Sequence, residues 1–271
     1  MSQKSPFVKL LYRARDWRSR ALFDAILCHG GGDVLDVGGW DFFESVERRG
    51  ARYASWTSLE NDPTRLLKLA APALRLVYGD GCALGFRSGS FDTVLCLQVL
   101  EHVFEPIRMV EEIGRVLKDG GKAVFLIPQT SSTHLAPHYH QNLSRYWIEQ
   151  AMARAGLEIV EHRCLGGLWS STASRFFFFF LQALRFPGMS DPGIRREPLF
   201  YLLLPFMALY ALLGIPICLL LGLGDLREEP NNHLVVARRI GSSAHRSSPA
   251  RGGPRADRRF EPLSESVPLP S

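Results

Sequence analysis

From Asp33 to Pro128 short apolar runs alternate with stretches of helical periodicity. "DVLDVG" reads as a strand, "FFESVERR" as a helix and "RYASWTSLE" as a strand. "PTRLLKLA" predicts a short helix, and "LRLVYGD" and "FDTVLCLQ" two further strands. "EPIRMVEEIGRVLK" puts Ile107, Val110, Ile113 and Val116 on one helical face, stops at the glycines of "DGG" and gives way to the strand "KAVFLIP". "WIEQAMARAGLEIVEHRCL" repeats the theme, with a helix to Ala155, a glycine stop and a strand, and "NNHLVVARRI" is one more strand. Strands alternating with helices imply right-handed crossovers, hence an α/β fold with a doubly wound, mostly parallel sheet. Such sheets bind ligands beyond the carboxyl ends of their strands.

Three regions break this pattern. Residues 1–29 carry many Lys and Arg residues without a secretory apolar core, and predict amphipathic helices with Phe7, Leu10, Leu11, Trp17, Leu22, Phe23 and Ile26 as the apolar stripe. Residues 171–230 hold "RFFFFFLQALRFPG" and the uncharged run 199–224, an apolar helical insertion long enough by composition to enter a bilayer. Pro205 and Pro216 should kink it. Residues 241–271 are rich in Ser, Pro, Gly and Arg and predict a disordered tail. Residues 30–170 and 231–240 are left as the α/β domain.

Composition narrows the function. The 271 residues are 46% hydrophobic and 22% charged, with a net charge of +5 and no basic stretch interleaved with aromatics, so nucleic acid is not the expected partner. The five cysteines have neither knuckle nor redox spacing and predict reduced thiols in a cytoplasmic protein.

Acids stand at successive strand ends: Asp36, then Glu60, then Asp80, with Gln98 closing the fourth strand. In a parallel sheet these ends line one crevice. An acid about 20 residues beyond a glycine turn is placed to accept ribose hydroxyls, and Glu60 fits that spacing. Asp80 is placed to accept from an exocyclic amine. His134, His138 and His140 in "HLAPHYHQN" have no Glu or Cys nearby in sequence, so no metal is expected there.

The stretch "YGDGCALGFRSGSFDTVLCLQVLEHVFEP" followed by "EEIGRVLKDGGKAVFLIP" resembles the class I S-adenosylmethionine-dependent methyltransferases, and within them the type-11, quinone-biosynthesis-like branch. Phe91–Asp92, Leu100–Val103 and Arg115–Gly121 carry the likeness, with Asp119 where the family usually has proline. The resemblance implies a Rossmann-like methyltransferase fold with the apolar helical insertion between its last two strands. It implies S-adenosyl-L-methionine as cofactor. Asp36, Gly38 and Gly39 would form the turn under the methionine part, with Trp40 where the family often has glycine. Glu60 would hold the ribose, and Asp80, Gly81 and Cys82 would face the adenine. Gln98 would lie near the methyl group. His138, Tyr139 and His140, in the loop after the fifth strand, become candidates for substrate contact or proton removal. His102 of "LEHV" is a candidate base, against a purely structural hydrogen bond.

In the family the strands matching Leu157–Leu165 and His233–Arg239 pair antiparallel. Both then lie on one side of any membrane, which excludes a single span between them. A helical hairpin, a re-entrant kinked helix or a helix in the interface is left for the insertion, flanked by Arg175, Arg185, Arg195 and Arg196. The alternative is a helical cap packed on the soluble core. The expected protein is a methyltransferase acting on a small-molecule or lipid-linked hydrophobic acceptor at the inner face of a membrane. Its rival is a non-catalytic methyltransferase-like binding or scaffold module at a membrane.

Overall fold

A computed structural model of the protein describes residues 19–40, 42–66, 74–191 and 193–241. The predicted helices before Ser19, the second half of "PTRLLKLA" and the predicted tail fall outside them. The strands are β1 (Asp33–Val37), β2 (Ser55–Glu60), β3 (Leu74–Tyr78), β4 (Phe91–Leu97), β5 (Leu117–Pro128), β6 (Leu157–Leu165) and β7 (Asn232–Arg239). They form one sheet in the order β3-β2-β1-β4-β5-β7-β6. The first five run parallel, and β7 lies antiparallel between β5 and β6.

The helices are α1 (Arg20–His29), α2 (Phe42–Glu47), α3 (Pro63–Leu66), α4 (Pro106–Val116), α5 (Arg145–Arg154), α6 (Leu168–Ala183) and α7 (Pro198–Leu221). One face of the sheet packs Leu35, Val94, Phe125 and Val235 against Val110 and Ile113 of α4 and Ile148 and Met152 of α5. The other packs Val34, Leu95, Val124 and Val236 against Phe23 and Ile26 of α1 and Phe43 of α2. Central parallel strands buried on both faces are continuous apolar runs, which made them readable in the sequence.

α4 starts with Pro106 in its first turn and buries Met109, Val110, Ile113 and Val116. Its end differs from expectation. Leu117 already has extended backbone and pairs with Phe91, while Lys122 pairs with Thr93, so residues 118–121 bulge from the edge of β5. The glycines of "DGG" therefore shape a bulge rather than stop a helix, and Gly120 takes φ +78° there. Lys118 pins the bulge through Asp92 at 2.7 Å and Asp33 at 3.1 Å. The expected stop after α5 is present, with Gly156 at φ +69°.

Leu165 and Asn232 are register partners, so the chain leaves β6 and re-enters β7 at one point. Between them α6 and α7 form a hairpin. Ala211 and Cys218 are the buried residues of α7. Gly214 shares their face, and a Cβ there would lie 2.5 Å from the Phe176 ring of α6. Small residues let the two helices approach closely. α7 continues through Pro205 and Pro216 over 24 residues, about 36 Å.

The hairpin is tied to the domain at both ends. At its base Asp225 accepts from Trp169 N at 2.8 Å and Ser170 N at 3.0 Å, capping α6, and Ser171 donates to the Glu229 carbonyl. At its tip Leu135 N donates to the Gly188 carbonyl and Gln182 Nε2 to the Thr133 carbonyl. The insertion thus lies along the domain rather than projecting from it. Its outer helix leaves Leu202, Phe206, Leu213 and Leu220 at 57–70% exposure. The run Pro198–Gly224 is long and apolar enough to cross a membrane by length and composition.

Candidate active site

The carboxyl ends of β1 and β2 bring the glycine turn and Glu60 together, while Asp80–Cys82 follow β3 and Gln98 follows β4. Asp36 lies one residue before the end of β1, fully buried, and neither carboxyl oxygen has a hydrogen-bond partner. Burial, reinforced by the charge of Glu60, raises its pKa to about 8. Gly38 has φ +70° and donates to the Leu59 carbonyl at 2.8 Å. Gly39 leaves room for Asp36. Trp40 takes φ 43°, a left-handed conformation expensive for a bulky residue, and its indole is half exposed.

Glu60 ends β2 and is 1% exposed. Its Oε1 accepts the Trp40 backbone N–H at 2.5 Å, so the glycine turn is tied down onto the acid of the next strand. The glycine turn and Glu60 are adjacent, but the carboxylate lies beneath the turn.

Asp80, two residues past β3, is exposed and accepts from Cys82 N at 2.8 Å. Gly81 is buried where a Cβ would meet Met109 at 2.3 Å. The Cys82 thiol is pushed up by burial and by Asp80 and Glu105, and stays protonated. Gln98 takes φ 57°, and its side chain donates to Asn232 at 2.6 Å, toward the start of β7.

A second group follows β4. His102 Nδ1 lies 2.6 Å from the His138 carbonyl, which can only accept, so the proton sits on Nδ1 and the Nε2 lone pair is free. Burial, helped by His134, His140 and His138, lowers the His102 pKa against the opposing pull of that carbonyl, keeping the ring neutral. Its Nε2 is 3.8 Å from Glu101 Oε1. Glu101 is fully buried, neither carboxyl oxygen is hydrogen-bonded, and burial raises its pKa to about 7. The His134 ring packs edge-on to His102 at 4.8 Å and lies 4.9 Å from Tyr139. His138 and His140 are exposed and enter through their backbones: His140 N donates to the Glu101 carbonyl. Reading the sequence assigned no role to Glu101 and did not place His134 against His102, while Tyr139 was already a candidate for substrate contact. The one available signal for Glu101 was an acid beside His102 inside an otherwise apolar run.

Tyr139 also lines a cavity of about 500 Å³ between this loop and the hairpin tip, with Pro137, Phe179, Met189, Ile194 and Phe200. Arg196 closes its rim by donating to the Gln182 and Ala183 carbonyls at the end of α6. Another cavity, of about 400 Å³, lies at the amino-terminal side of the sheet beside Gly31, Arg52 and Trp56, away from these groups.

Residues 37–125 match a family model described as a methyltransferase domain. An uncharacterized methyltransferase of Mycobacterium sp. (strain JLS) is 41% identical over 101 residues, 35% of this chain and 38% of that protein. Ubiquinone biosynthesis O-methyltransferase of Sodalis glossinidius is 32% identical over 113 residues, 38% of this chain and 45% of its own length. Demethylmenaquinone methyltransferase of Lactococcus lactis is 32% identical over 142 residues, 51% of this chain and 53% of its own. The chain therefore spans about two fifths to one half of the length of these relatives. Among solved structures, the cyclase SpnF superposes with a TM-score of 0.55 at 17% identity, covering 84% of this chain and 83% of that one. A Bacillus halodurans protein solved as a candidate methyltransferase gives 0.53 at 15% identity, covering 82% and 98%. At these identities the structures speak for the fold alone.

Proposed function

We propose that this chain, a member of the class I methyltransferase family through its matched domain and sheet order, transfers a methyl group from S-adenosyl-L-methionine to an apolar-tailed acceptor at a membrane surface. The carrying observation is the acid-lined end of the parallel sheet, where Asp36 is buried with both oxygens unpartnered one strand away from Glu60. Asp36 is protonated near neutral pH without a ligand, and a positive charge at the methionine end of the cofactor would favour its ionised form, so the pair fits such a ligand. Bound S-adenosyl-L-methionine supplies a methyl group already activated by its sulfonium.

The protein's part is to bind, align and exclude water. Asp36 and the turn at Gly38, Gly39 and Trp40 would hold the methionine part, and Glu60 the ribose once the turn lifts from it. Asp80, Gly81 and Cys82 would flank the adenine, with Gln98 near the methyl group. An acceptor that loses a proton as it attacks would give it to the His102 Nε2 lone pair, beside Glu101. The cavity at Tyr139 is suited to an apolar tail arriving from under the hairpin. A hairpin held at base and tip, with one long apolar face outward, is suited to lying in a membrane interface rather than crossing it.

One observation favours a second reading, a methyltransferase-like binding module: Glu60 is buried and accepts from Trp40. Calorimetry with S-adenosylmethionine and S-adenosylhomocysteine separates the two. Binding that weakens at least tenfold in Glu60→Ala supports the cofactor site. An absence of binding at millimolar ligand refutes it. Mass spectrometry of membrane extracts incubated with isotope-labelled S-adenosylmethionine then identifies the acceptor.

A further inference from the structure

At the β6 side of the sheet, β6 and β7 bring three soft ligands together. Cys164 and His233 are register partners, and His162 stands two residues back on β6. One ligand atom from each lies within 4.8 Å of the other two. His162 Nε2 is 2.9 Å from His233 Nδ1, and Cys164 Sγ is 4.0 Å from the same nitrogen. His233 is 1% exposed, while His162 and Cys164 are half-buried, so the cluster opens to solvent on one side.

A hydrogen-bond chain decides which atoms carry lone pairs. Gln129 Nε2 donates to the Glu228 carbonyl at 3.1 Å, which turns Gln129 Oε1 toward His233. That oxygen accepts from His233 Nε2 at 2.7 Å, so the His233 proton is on Nε2 and its Nδ1 lone pair faces His162 and Cys164. An imidazole whose second nitrogen donates to a fixed oxygen is the usual support of a metal-bound histidine.

We infer that His162, Cys164 and His233 form a binding site for a thiophilic divalent metal of the zinc class, with the fourth position open to water. Two imidazoles and a thiolate are a donor set that selects zinc or copper over magnesium or calcium. Tetrahedral zinc ligands stand about 3.3–3.8 Å apart, given bonds of 2.0–2.3 Å, so the three side chains need only small shifts. On binding, Cys164 loses its proton to solvent and His162 moves its proton from Nε2 to Nδ1. The metal would bind β6 to β7 where the hairpin departs, and Gln129 and Glu228 would link it to the returning chain.

The full-length protein in mild detergent, freed of metal and titrated with Zn²⁺ or Co²⁺, tests this. The expected result is one bound ion and a thiolate-to-cobalt charge-transfer band. Cys164→Ser should abolish the band and weaken Zn²⁺ at least tenfold, as should His162→Gln, with circular dichroism unchanged in both. Gln129→Leu should weaken it about 10–100-fold, as expected for a positioning residue. No stoichiometric binding at micromolar metal overturns the proposal. So does binding that survives Cys164→Ser and His162→Gln but is lost in Glu101→Gln, which would put the ion at the His102–His134 group. None of these outcomes depends on cofactor binding.

Discussion

A Cβ built on Gly39 would lie 1.9 Å from Asp36 Oδ2, inside the carboxyl group. The glycine is therefore demanded by its neighbour three residues back rather than by its own backbone angle. Gly39→Ala must push the turn or rotate a buried carboxyl, at an overpacking cost of about 1–3 kcal/mol. Urea unfolding should report that loss. Adding Asp36→Ala should recover most of it, because the double variant removes the clash. Additive losses would refute the contact.

Asp36 also makes the stability of the ligand-free protein depend on pH. Its pKa is about 8 in the fold against an ordinary 3.8, with burial as the main cause and Glu60 as the second. Between those values the folded protein binds a proton that the unfolded chain has lost. Stability should therefore fall as pH rises from 4 to 8, by an amount approaching about 5 kcal/mol for this group. Asp36→Asn should unfold later than the wild type at pH 8 and alike at pH 4, while losing cofactor affinity. Parallel stability profiles would show that the carboxyl is not held as described.

What was legible in the sequence followed from burial and strand order. β1, β4 and β5 are buried on both faces and so appear as apolar runs, and the parallel order then sets Asp36, Glu60 and Gln98 at or just past the carboxyl ends of neighbouring strands. The "DGG" segment misled because glycine serves both a helix end and a bulge, and only the cross-strand pull of Lys118 on Asp33 and Asp92 decides between them. Glu60 could be placed at a strand end, but not beneath the Trp40 amide, since that depends on how the turn closes. His162 and His233 are 71 residues apart and meet only through the register of β6 and β7, which no local pattern encodes.

Arg115 shows what the "RVLK" stretch does physically. It makes a two-pronged ion pair with Glu112 and donates to the Leu84 and Phe86 carbonyls, each at 2.8 Å. Glu112 in turn accepts from Leu84 N at 2.7 Å. This lattice holds the chain just after Asp80 and Cys82. Arg115→Lys keeps the charge but cannot reproduce the fork, and should cost about 1–2 kcal/mol in denaturant unfolding. Its effect on calorimetric cofactor affinity should exceed that of an exposed control such as Arg108→Lys. Equal effects would show that the loop does not depend on the fork.

The outward face of α7 gives the sharpest test of membrane association. Leu202, Phe206 and Leu213 are 70%, 70% and 57% exposed and share one side of the helix, away from the Ala211–Cys218 seam. Replacing all three by Ser removes apolar surface without touching the contact with Phe176. Each such side chain is worth about 1.5–3 kcal/mol when fully buried in an apolar phase. The triple variant should stop floating with anionic liposomes that carry the wild type upward, and should bind S-adenosylmethionine as the wild type does. In water its thermal stability should hold or rise, since an exposed apolar face contributes nothing to the folded state. A wild type that stays in the soluble fraction would overturn the interface reading. A variant that still floats would move the lipid contact to the Phe177 side of α6 instead.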